Sequence, residues 1–466
     1  MKWWKKMAKG LLFAAFYCLI GISLCAGGAL AAPSVKISDR KDNVIIQEAV
    51  TDEILAEIKK SVGDKKDLAF TLQKAGSIED LTKLCEAFPG MVKLSIDGPK
   101  ELTSIAPVAK LKSLKHFSLR GGTVADFSPL SDLTGLDNLQ VDGNNVKNGM
   151  MAPDLKWMSK LTNLTRLDIG APSALRTLVS FEGIPAAAKL TSTRFSGGAP
   201  ADLTPLQALS SLKKLDLVGS KIADLTPLTG LPKLEELSLY GVEVKDFSPL
   251  AGCPKLKFVM YYATKDADYS TLGKLAQVQE LKGGLTDLAD ISWVVNLPNL
   301  RKFDVFAEKV TDYTPLAKTK VEDFQIWKMK NPADLKMLSG VASLKKLKLW
   351  NQKIAGGFEG LGSLVNLEEL ILHQMSAKDG TPVDMAFAKS LVNLKKLEIN
   401  DSEISHFDAV AACAKLESVS IAKATGITSL AALKKLPNLK AVTVSKGMFP
   451  DAELAGFAAT VKVNQR

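Results

Sequence analysis

Hydrophobic residues recur along this chain in a short pattern that restarts every 22 residues. In the stretch LEELSLYGVEVKDFSPLAGCPK, residues 234–255, leucines hold the first, fourth and sixth positions and mostly polar residues lie between them. This alternation predicts a short strand whose leucines point to one side. Gly241 and the segment Asp-Phe-Ser-Pro-Leu follow, which predicts a turn and a short return segment.

The same pattern recurs without gaps in neighbouring stretches of the chain. Five stretches align with the first, namely 114–135, 190–211, 212–233, 256–277 and 278–299. Degenerate or longer copies bring the total to about 15 units between residues 91 and 444. One such coil cannot bury its apolar side alone, so the period indicates a solenoid of stacked coils, and the leucine spacing selects the leucine-rich-repeat class. We predict an α/β solenoid, an arc with a parallel sheet on its concave face.

The first 31 residues predict a secretory signal. Four lysines open the segment, an apolar run extends from Leu11 to about Cys25, and Ala29-Leu30-Ala31 forms a small-x-small site. We expect cleavage after Ala31, with an uncleaved membrane anchor as the alternative. No second apolar run is long enough to span a bilayer. We therefore predict no membrane span in the mature chain and an exported protein, either periplasmic or extracellular.

The segments that flank the repeats are expected to cover the ends of the solenoid. In TDEILAEIKKSVG, Thr51 precedes an acidic first turn and Gly63 follows the last lysines, which predicts a helix. In SIEDLTKLCEAFPG, Ser77 and Asp80 have the spacing of a capping box. The predicted division is a signal peptide over 1–31, an N-terminal segment with a helical cap over 32–90, the repeat domain over 91–444 and a C-terminal cap over 445–466.

An aspartate recurs just before the return segment of many units. Its carboxylate can accept hydrogen bonds from the backbone N–H groups of the turn that follows. A ladder of metal sites is the alternative, but no second oxygen ligand recurs beside the aspartate. We predict one turn cap per coil at Asp126, Asp202, Asp224, Asp246, Asp268, Asp290 and Asp312.

The net charge of the chain bears on whether its partner is a nucleic acid. The net charge of +10 falls to +6 when residues 1–31, with four lysines and no acidic residue, are removed. This mild charge gives no electrostatic footprint for nucleic acid, and we expect no nucleic-acid partner.

Three cysteines remain when residues 1–31 are removed, Cys85, Cys253 and Cys413. An odd number fits a reactive thiol or an intermolecular bridge, but all three lie at apolar positions of the pattern, so we expect buried thiols.

The repeat unit resembles the internalin-type leucine-rich repeat of bacterial surface and secreted proteins. The first unit matches that pattern at Leu234, Leu237, Leu239, Val244, Asp246, Phe247, Pro249 and Leu250, and Cys253 replaces its last leucine. The ninth position departs from the family's asparagine, which Asn144 alone keeps clearly. The resemblance covers about three-quarters of the chain and implies the solenoid fold and an internalin-like repeat subclass.

The two residues after the opening leucine of each unit alternate in charge from coil to coil. Lys213 and Lys214 are followed one coil later by Glu235 and Glu236, and the alternation continues towards the C-terminus. In a parallel stack these side chains are lateral neighbours, so opposite charges would face one another. We predict that this stripe helps to fix the register of the strands and leaves them nearly neutral.

The seventh position of each unit, which a strand would point to solvent, becomes aromatic in one block of consecutive coils. From the first unit onward it reads Tyr240, Tyr262, Gly284, Phe306, Trp327, Trp350 and His373. Phe258 and Met260 border this block. Aromatic residues make up only 6% of the chain, so their concentration at one position requires an explanation.

Two interpretations of the aromatic block are open. Rings stacked along the sheet would add cross-strand contacts worth about 0.2–1 kcal/mol each, whereas an exposed apolar strip would mark an interaction site. We predict a binding surface for a protein or peptide, with a glycan as the alternative ligand. An envelope role based on self-association is the alternative function. The predicted ligand-binding residues are Tyr240, Tyr262, Phe306, Trp327, Trp350, His373 and Phe258.

No catalytic grouping is recognisable in the sequence. The three histidines, His116, His373 and His406, belong to separate coils, and no phosphate loop, H-E-x-x-H or C-x-x-C motif occurs. We therefore predict no enzyme activity, no catalytic residues, no cofactor and no metal site.

Overall fold

The structure, a computed structural model, describes residues 35–466. It leaves out residues 48, 74–79, 100–101, 143–153, 171–177, 179, 220, 263–265, 286 and 328–333. The expected signal peptide, Ser77 of the expected capping box, and Asn144 lie outside the described residues.

Twenty strands of the described chain form one long sheet. They are β1 (Val35–Ile37), β2 (Asn43–Ile46), β3 (Ala69–Leu72), β4 (Lys93–Asp97), β5 (His116–Arg120), β6 (Asn138–Asp142), β7 (Arg166–Gly170), β8 (Ser192–Ser196), β9 (Lys214–Val218), β10 (Glu236–Tyr240), β11 (Phe258–Tyr262), β12 (Glu280–Gly284), β13 (Lys302–Phe306), β14 (Asp323–Trp327), β15 (Lys346–Ile354), β16 (Glu369–Ala377), β18 (Lys396–Asn400), β20 (Ser418–Ala422), β21 (Ala441–Val444) and β22 (Lys462–Gln465). Two further strands, β17 (Val383–Asp384) and β19 (Ile404–Ser405), pair with each other outside that sheet.

The strands of the long sheet stack in parallel, one per coil, in chain order. Glu236 of β10 pairs with Lys214 and with Phe258, each 22 residues away along the chain. Among the described strands only β1 and β2 pair antiparallel. Since β2 and β3 already belong to the sheet, the segment expected to cap the solenoid also contributes strands to it. This architecture is the predicted leucine-rich-repeat solenoid.

The leucines of each strand fill the interior, and the residues between them face outward. In β10, Leu237 and Leu239 are 0% exposed, and the equivalent residues of other coils stack beneath and above them to form one continuous core. Glu236 and Tyr240 lie on the opposite face and are half-buried. Such a core stabilises the coils only in a stack, because each coil covers the apolar side of the next.

Return segments on the other side of each coil are mostly short 3-10 helices. They span Ala106–Lys110, Ser128–Leu130, Lys156–Met158, Ile184–Ala186, Thr204–Ala208, Thr226–Gly230, Ser248–Gly252, Tyr269–Lys274, Ser292–Asn296, Thr314–Lys318, Leu335–Leu338, Glu359–Ser363, Met385–Ser390 and Phe407–Ala412. Four α-helices are also described: α1 (Asp52–Val62), α2 (Thr82–Ala87), α3 (Ala431–Lys434) and α4 (Asp451–Ala455). The helix predicted between Thr51 and Gly63 is confirmed as α1, whose first turn the Thr51 side chain caps.

The predicted turn caps are confirmed. In each case a carboxylate oxygen of the aspartate accepts a hydrogen bond of 2.8–3.0 Å from the backbone N–H two residues later, at Asp126, Asp202, Asp224, Asp246, Asp268, Asp290 and Asp312. Hydrogen bonds from the Thr226 hydroxyl and backbone N–H lower the pKa of Asp224. The recurring acid is therefore used to begin the return segment.

Cys85, Cys253 and Cys413, the three cysteines of the described residues, are free and buried, as predicted. Burial raises the pKa of Cys85 to about 12 and the pKa values of Cys253 and Cys413 to about 11. Since the thiolate is the reactive form, these residues serve as small apolar side chains of the core.

Candidate functional site

The aromatic residues at the fifth position of strands β10 to β16 lie side by side on the outer face of the sheet. Direct register pairs join Tyr240 to Tyr262, Tyr262 to Gly284, Gly284 to Phe306, Phe306 to Trp327, Trp327 to Trp350 and Trp350 to His373. We call the six ring-bearing residues of this series the aromatic row. With neighbouring strands about 4.8 Å apart, the row extends for roughly 29 Å across the strands.

The row begins with two stacked tyrosines. The ring centroids of Tyr240 and Tyr262 lie 4.9 Å apart and their planes differ by 11°. The Tyr240 hydroxyl donates to the sulfur of Met260 at 2.9 Å. Burial raises the pKa of Tyr240 to about 12, and burial also raises the pKa of Tyr262. Both phenols are therefore neutral at physiological pH, and this end of the row carries no charge.

A second stack forms the other end of the row. Trp327 and Trp350 stack with centroids 4.8 Å apart and an angle of 11°, and His373 packs on Trp350 at 4.8 Å and 45°. Nε1 of Trp350 and Nδ1 of His373 are buried and have no hydrogen-bond partner within the described ranges. Leaving such groups unpaired costs about 1–3 kcal/mol each.

Trp327 is the most exposed ring of the row and is nevertheless held in one orientation. Its side chain is 38% exposed. Its Nε1–H donates to Oδ1 of Asp304 at 3.1 Å, and the other oxygen of Asp304 lies 3.3 Å from Nζ of Lys282. Asp304 itself is only 6% exposed. A large apolar surface is thus kept in water by a half-buried, charge-assisted hydrogen bond and a stacking partner.

Gly284 and Phe306 separate the two stacks. A Cβ atom on Gly284 would lie 2.8 Å from Cδ1 of Tyr262, so the tyrosine ring covers the space that a side chain would need. Phe306 is half-buried between the stacks. Tyr262 and Trp327 are the inner ends of their stacks, because each has its stacked neighbour on the side away from Phe306.

Phe258, the seventh predicted site residue, lies apart from the row. It begins β11, whereas Tyr262 ends the same strand four residues later. Both face outward, but about 13 Å of strand separates them. Its lateral neighbours are Glu236 and Glu280. Phe258 therefore belongs to the charged stripe and not to the line of rings.

The residues that orient the rings were not recognised from the sequence. Asp304 and Met260 occupy the middle outward position of their strands, between the charged stripe and the aromatic row. Asp304 holds Trp327 and Met260 accepts from Tyr240. The strand register could have identified Asp304. This residue lies two positions before Phe306, on the strand next to the one that carries Trp327.

The predicted alternation of charges across the strands is confirmed. Opposite charges pair between neighbouring coils at Lys214–Glu236, Lys257–Glu235, Lys302–Glu280, Lys345–Glu322, Lys346–Glu369, Lys395–Glu368, Lys396–Glu369 and Lys440–Glu417, with N–O distances of 2.7 to 3.8 Å. Each exposed pair is worth about 0–1 kcal/mol. The stripe beside the aromatic row is therefore close to neutral.

The part of the chain that the structure describes offers neither a metal-ion site nor a membrane-spanning helix. No three His, Cys, Asp or Glu side chains there lie close enough to hold a metal ion. No helix of the described ranges is both long and apolar enough to cross a membrane.

Comparisons with known proteins identify the fold. No family model and no curated protein matches the chain. Among solved structures, a leucine-rich-repeat protein of Leptospira interrogans aligns over 90% of this chain and 99% of its own, with 17% identity and a TM-score of 0.53. This chain has the leucine-rich-repeat fold.

Two further solved structures are similar to the chain. TLR13 in its complex with ssRNA13 aligns over 92% of this chain and 65% of its own, at 15% identity and a TM-score of 0.56. An internalin of Listeria monocytogenes aligns over 72% of this chain and 88% of its own, at 24% identity and a TM-score of 0.49. At 15% identity the alignment with TLR13 shows a shared fold alone, so it assigns no chemistry to the aromatic row.

Proposed function

We propose that this protein is an exported, internalin-like recognition module that binds a protein or peptide ligand through the aromatic row on its concave face. The observation that carries the proposal is that Trp327 is exposed and yet fixed in orientation. The residue is 38% exposed, Asp304 accepts its indole N–H, and Trp350 stacks on its ring. Exposed tryptophans that need no reordering are typical binding anchors, because they supply a large contact area at little entropic cost.

The surroundings of the row support a protein ligand. The lysines of the neighbouring stripe are paired with glutamates, so the face offers few free cations to phosphates, and a nucleic-acid ligand is disfavoured. The leucine-rich-repeat complex of TLR13 contains RNA, but affinity for RNA requires many unpaired basic groups.

A selection from a displayed peptide library on the mature protein tests the proposal. Peptides that bind the wild-type protein should lose at least tenfold in affinity on Trp327→Ala and on the double variant Trp327→Ala/Trp350→Ala. Val365→Ala and Val392→Ala are matched controls, because these side chains are even more exposed, at 48% and 51%, but lie in the turns ahead of their strands. Ligands that bind the wild type and all four variants equally would refute the proposal.

Self-association in an envelope role is the second candidate function. The exposed edge of the Trp327–Trp350 stack suits contact with a second copy of this chain as well as it suits contact with a ligand. Light scattering of the mature protein separates the two. If the wild-type protein is an oligomer and the double tryptophan variant a monomer, the row serves self-association. If both are monomers and the selected peptides bind only the wild type, the row serves recognition.

A further inference from the structure

The residue that follows the fifth strand position has a left-handed backbone in coils on both sides of the sheet centre. In five coils, up to the one that carries the first ring of the row, it is a glycine with φ between 61° and 88°, namely Gly98, Gly121, Gly197, Gly219 and Gly241. In four coils at the other end φ lies between 48° and 53°, but the residues carry side chains: Asn351, Gln374, Asp401 and Lys423. A left-handed backbone strains residues that have a Cβ atom, although asparagine and aspartate tolerate it better than glutamine and lysine do.

The side chains at these four strained positions contribute little to the fold. All four residues are exposed. Within the described ranges their side chains form no hydrogen bond, and their closest ionic contact is the distance of 4.0 Å between Oδ2 of Asp401 and Nε2 of His373. Glycine at the same positions would form the turn without strain, as it does in the other five coils. Strain that persists without a structural benefit is characteristic of functional sites.

Three of the strained residues border the C-terminal end of the aromatic row. Asn351 and Gln374 directly follow two ring-bearing residues, and their strands pair in register both before and after them. Asp401 directly follows Asn400, the register partner of His373. We call Asn351, Gln374 and Asp401 the polar border. It extends for roughly 10 Å beside the second stack of the row, because neighbouring strands lie about 4.8 Å apart.

The carboxylate of Asp401 has no close cation among the described residues. His373 lies at 4.0 Å, and Lys423, on the next coil, forms no ion pair with it. By contrast, Glu369 on the strand of His373 pairs with Lys396 at 2.8 Å. Asp401 can therefore accept a cationic group of a ligand without displacing a lysine, and the charges would be complementary.

Arginine is the cation that matches all parts of the polar border. Its planar guanidinium group donates two parallel hydrogen bonds to a carboxylate and stacks on aromatic rings. Its remaining N–H groups can donate to the amide oxygens of Asn351 and Gln374. The rings of Trp350 and His373, packed 4.8 Å apart, supply the aromatic surface next to Asp401. A lysine ammonium is compact and strongly hydrated, so it gains less from rings and from acceptors on three neighbouring coils.

From these features we infer that the protein or peptide ligand of the aromatic row presents an arginine, whose guanidinium group binds Asp401 and the amides of Asn351 and Gln374. The inference rests on the proposed function, since it names a residue of the same ligand. The hydrocarbon stem of the arginine then lies against the rings of the second stack, while its charged end reaches the polar border. The polar border is thus the specificity-determining part of the site, and it fixes one end of the ligand on the row.

Selection of a fully randomised displayed peptide library on the mature protein and on Asp401→Lys tests the inference. We expect arginine to be enriched among the peptides that the wild type selects. Replacement of that arginine by citrulline, its uncharged counterpart, should weaken binding about tenfold or more, because the charge-assisted hydrogen bonds to Asp401 are lost. On Asp401→Lys the enrichment of arginine should disappear, and aspartate or glutamate should be enriched instead.

Glycine variants separate binding from folding. Gln374→Gly relieves the left-handed strain, so its melting temperature should not fall, whereas its affinity for the arginine peptides should drop about threefold or more. Asp401→Gly should lose about tenfold or more in affinity and remain folded by circular dichroism. Lys423→Gly is the matched control, because it relieves the same strain one coil beyond the polar border and should leave the affinity unchanged.

The results that would overturn the inference bear differently on the proposed function. If the selected peptides depend on Trp327 but show no enrichment of arginine, or bind Asp401→Gly as tightly as the wild type, the inference fails and the proposed function stands. The same holds if Lys423→Gly weakens binding as much as Asp401→Gly, or if Gln374→Gly melts at a lower temperature than the wild type. If no peptide binds in a manner that depends on Trp327, the inference and the proposed function fail together.

Discussion

The fifth position of the strands is mostly polar in one part of the sheet and mostly aromatic in the next. Over β4 to β9 it holds Asp97, Arg120, Asp142, Gly170, Ser196 and Val218, and over β10 to β16 it holds the aromatic row and Gly284. Strand register and the buried leucines are alike in both parts. The fold therefore forms with or without rings at this position, and the rings are an addition to a structure that the core already stabilises.

The largest expected effect comes from comparing Leu239 and Tyr240, adjacent residues on opposite faces of one strand. Leu239 is 0% exposed, and Leu239→Ala should lower the free energy of unfolding by about 2–5 kcal/mol, because it leaves a cavity in the stacked core. Tyr240→Ala removes one stacked pair from a half-exposed surface and should cost about 1–2 kcal/mol. Urea unfolding monitored by far-UV circular dichroism measures both.

Equal costs of Leu239→Ala and Tyr240→Ala would contradict this prediction. If Tyr240→Ala costs as much as Leu239→Ala, the row is part of the structural core, and its aromatic character needs no ligand to explain it. Val218→Ala, at the equivalent position of the polar part, is the matched control and should cost less than Tyr240→Ala because Val218 has no ring to stack.

The two glycines that end β12 give a second test, because they mark the interruption of the row. A Cβ atom on Gly283 would lie 1.8 Å from the backbone oxygen of Tyr261, which cannot move without distorting the sheet. Gly283→Ala should therefore destabilise the protein by about 3 kcal/mol. On Gly284 the clash is with the Tyr262 ring, which can rotate, so Gly284→Ala should cost about 1 kcal/mol.

Near-UV circular dichroism distinguishes the two glycine variants further. Gly284→Ala should change the tyrosine signal, because the displaced Tyr262 ring can no longer stack on Tyr240 as before. An unchanged tyrosine signal together with wild-type stability would mean that Tyr262 does not depend on the missing side chain at Gly284. The thermal melting temperature of both variants completes the measurement.

Extension of the row into the polar part is a third test, with a smaller expected effect. Val218 pairs directly with Tyr240, so the ring introduced by Val218→Tyr would stack on a tyrosine already in place. We expect a gain of about 0.5–1 kcal/mol in the free energy of unfolding. Ser196→Tyr, one strand farther from the row, lacks an aromatic neighbour and should give no gain. Destabilisation by Val218→Tyr would show that the aromatic part of the sheet differs in backbone geometry as well as in side chains.

The fold could be predicted from the sequence because every coil repeats the residues that determine its strand and its turn. Leucines at positions such as Leu237 and Leu239, and a turn cap such as Asp246, depend only on contacts within a coil or with the next one. The period of the pattern therefore predicted strand, register and cap together. The same logic predicted the charge pairs, since strands in register place equivalent residues side by side.

The candidate site was predicted less completely, for two physical reasons. The sequence placed the aromatic residues on one line, but it could not divide them into two stacks, because ring orientation depends on partners such as Asp304 that belong to another column of the sheet. Phe258 was grouped with the rings because it borders the block in the sequence, although its position at the start of β11 places it among charged residues. Ring orientation decided the first point, and position along the strand decided the second.

The charged stripe supplies the smallest and last test, because it separates electrostatic from aromatic contributions on the same face. Glu369 lies 2.8 Å from Nζ of Lys396 and 3.8 Å from Nζ of Lys346, and its side chain is 16% exposed. Glu369→Gln should lower the free energy of unfolding by about 0.5–1 kcal/mol at low ionic strength. Glu417→Gln, in a more exposed pair with Lys440, is the matched control and should have the smaller effect.

Salt then decides between the two kinds of contribution. At about 1 M sodium chloride the screening length is near 3 Å, so the cost of Glu369→Gln should shrink towards zero. The gain from Val218→Tyr should persist, since stacking and burial of apolar surface do not depend on ionic screening. A cost of Glu369→Gln that is unchanged in salt would mean that this carboxylate acts through packing and hydrogen bonding. The charged stripe would then stabilise the sheet by the same short-range contacts as the aromatic row, and the electrostatic account of its alternation would be wrong.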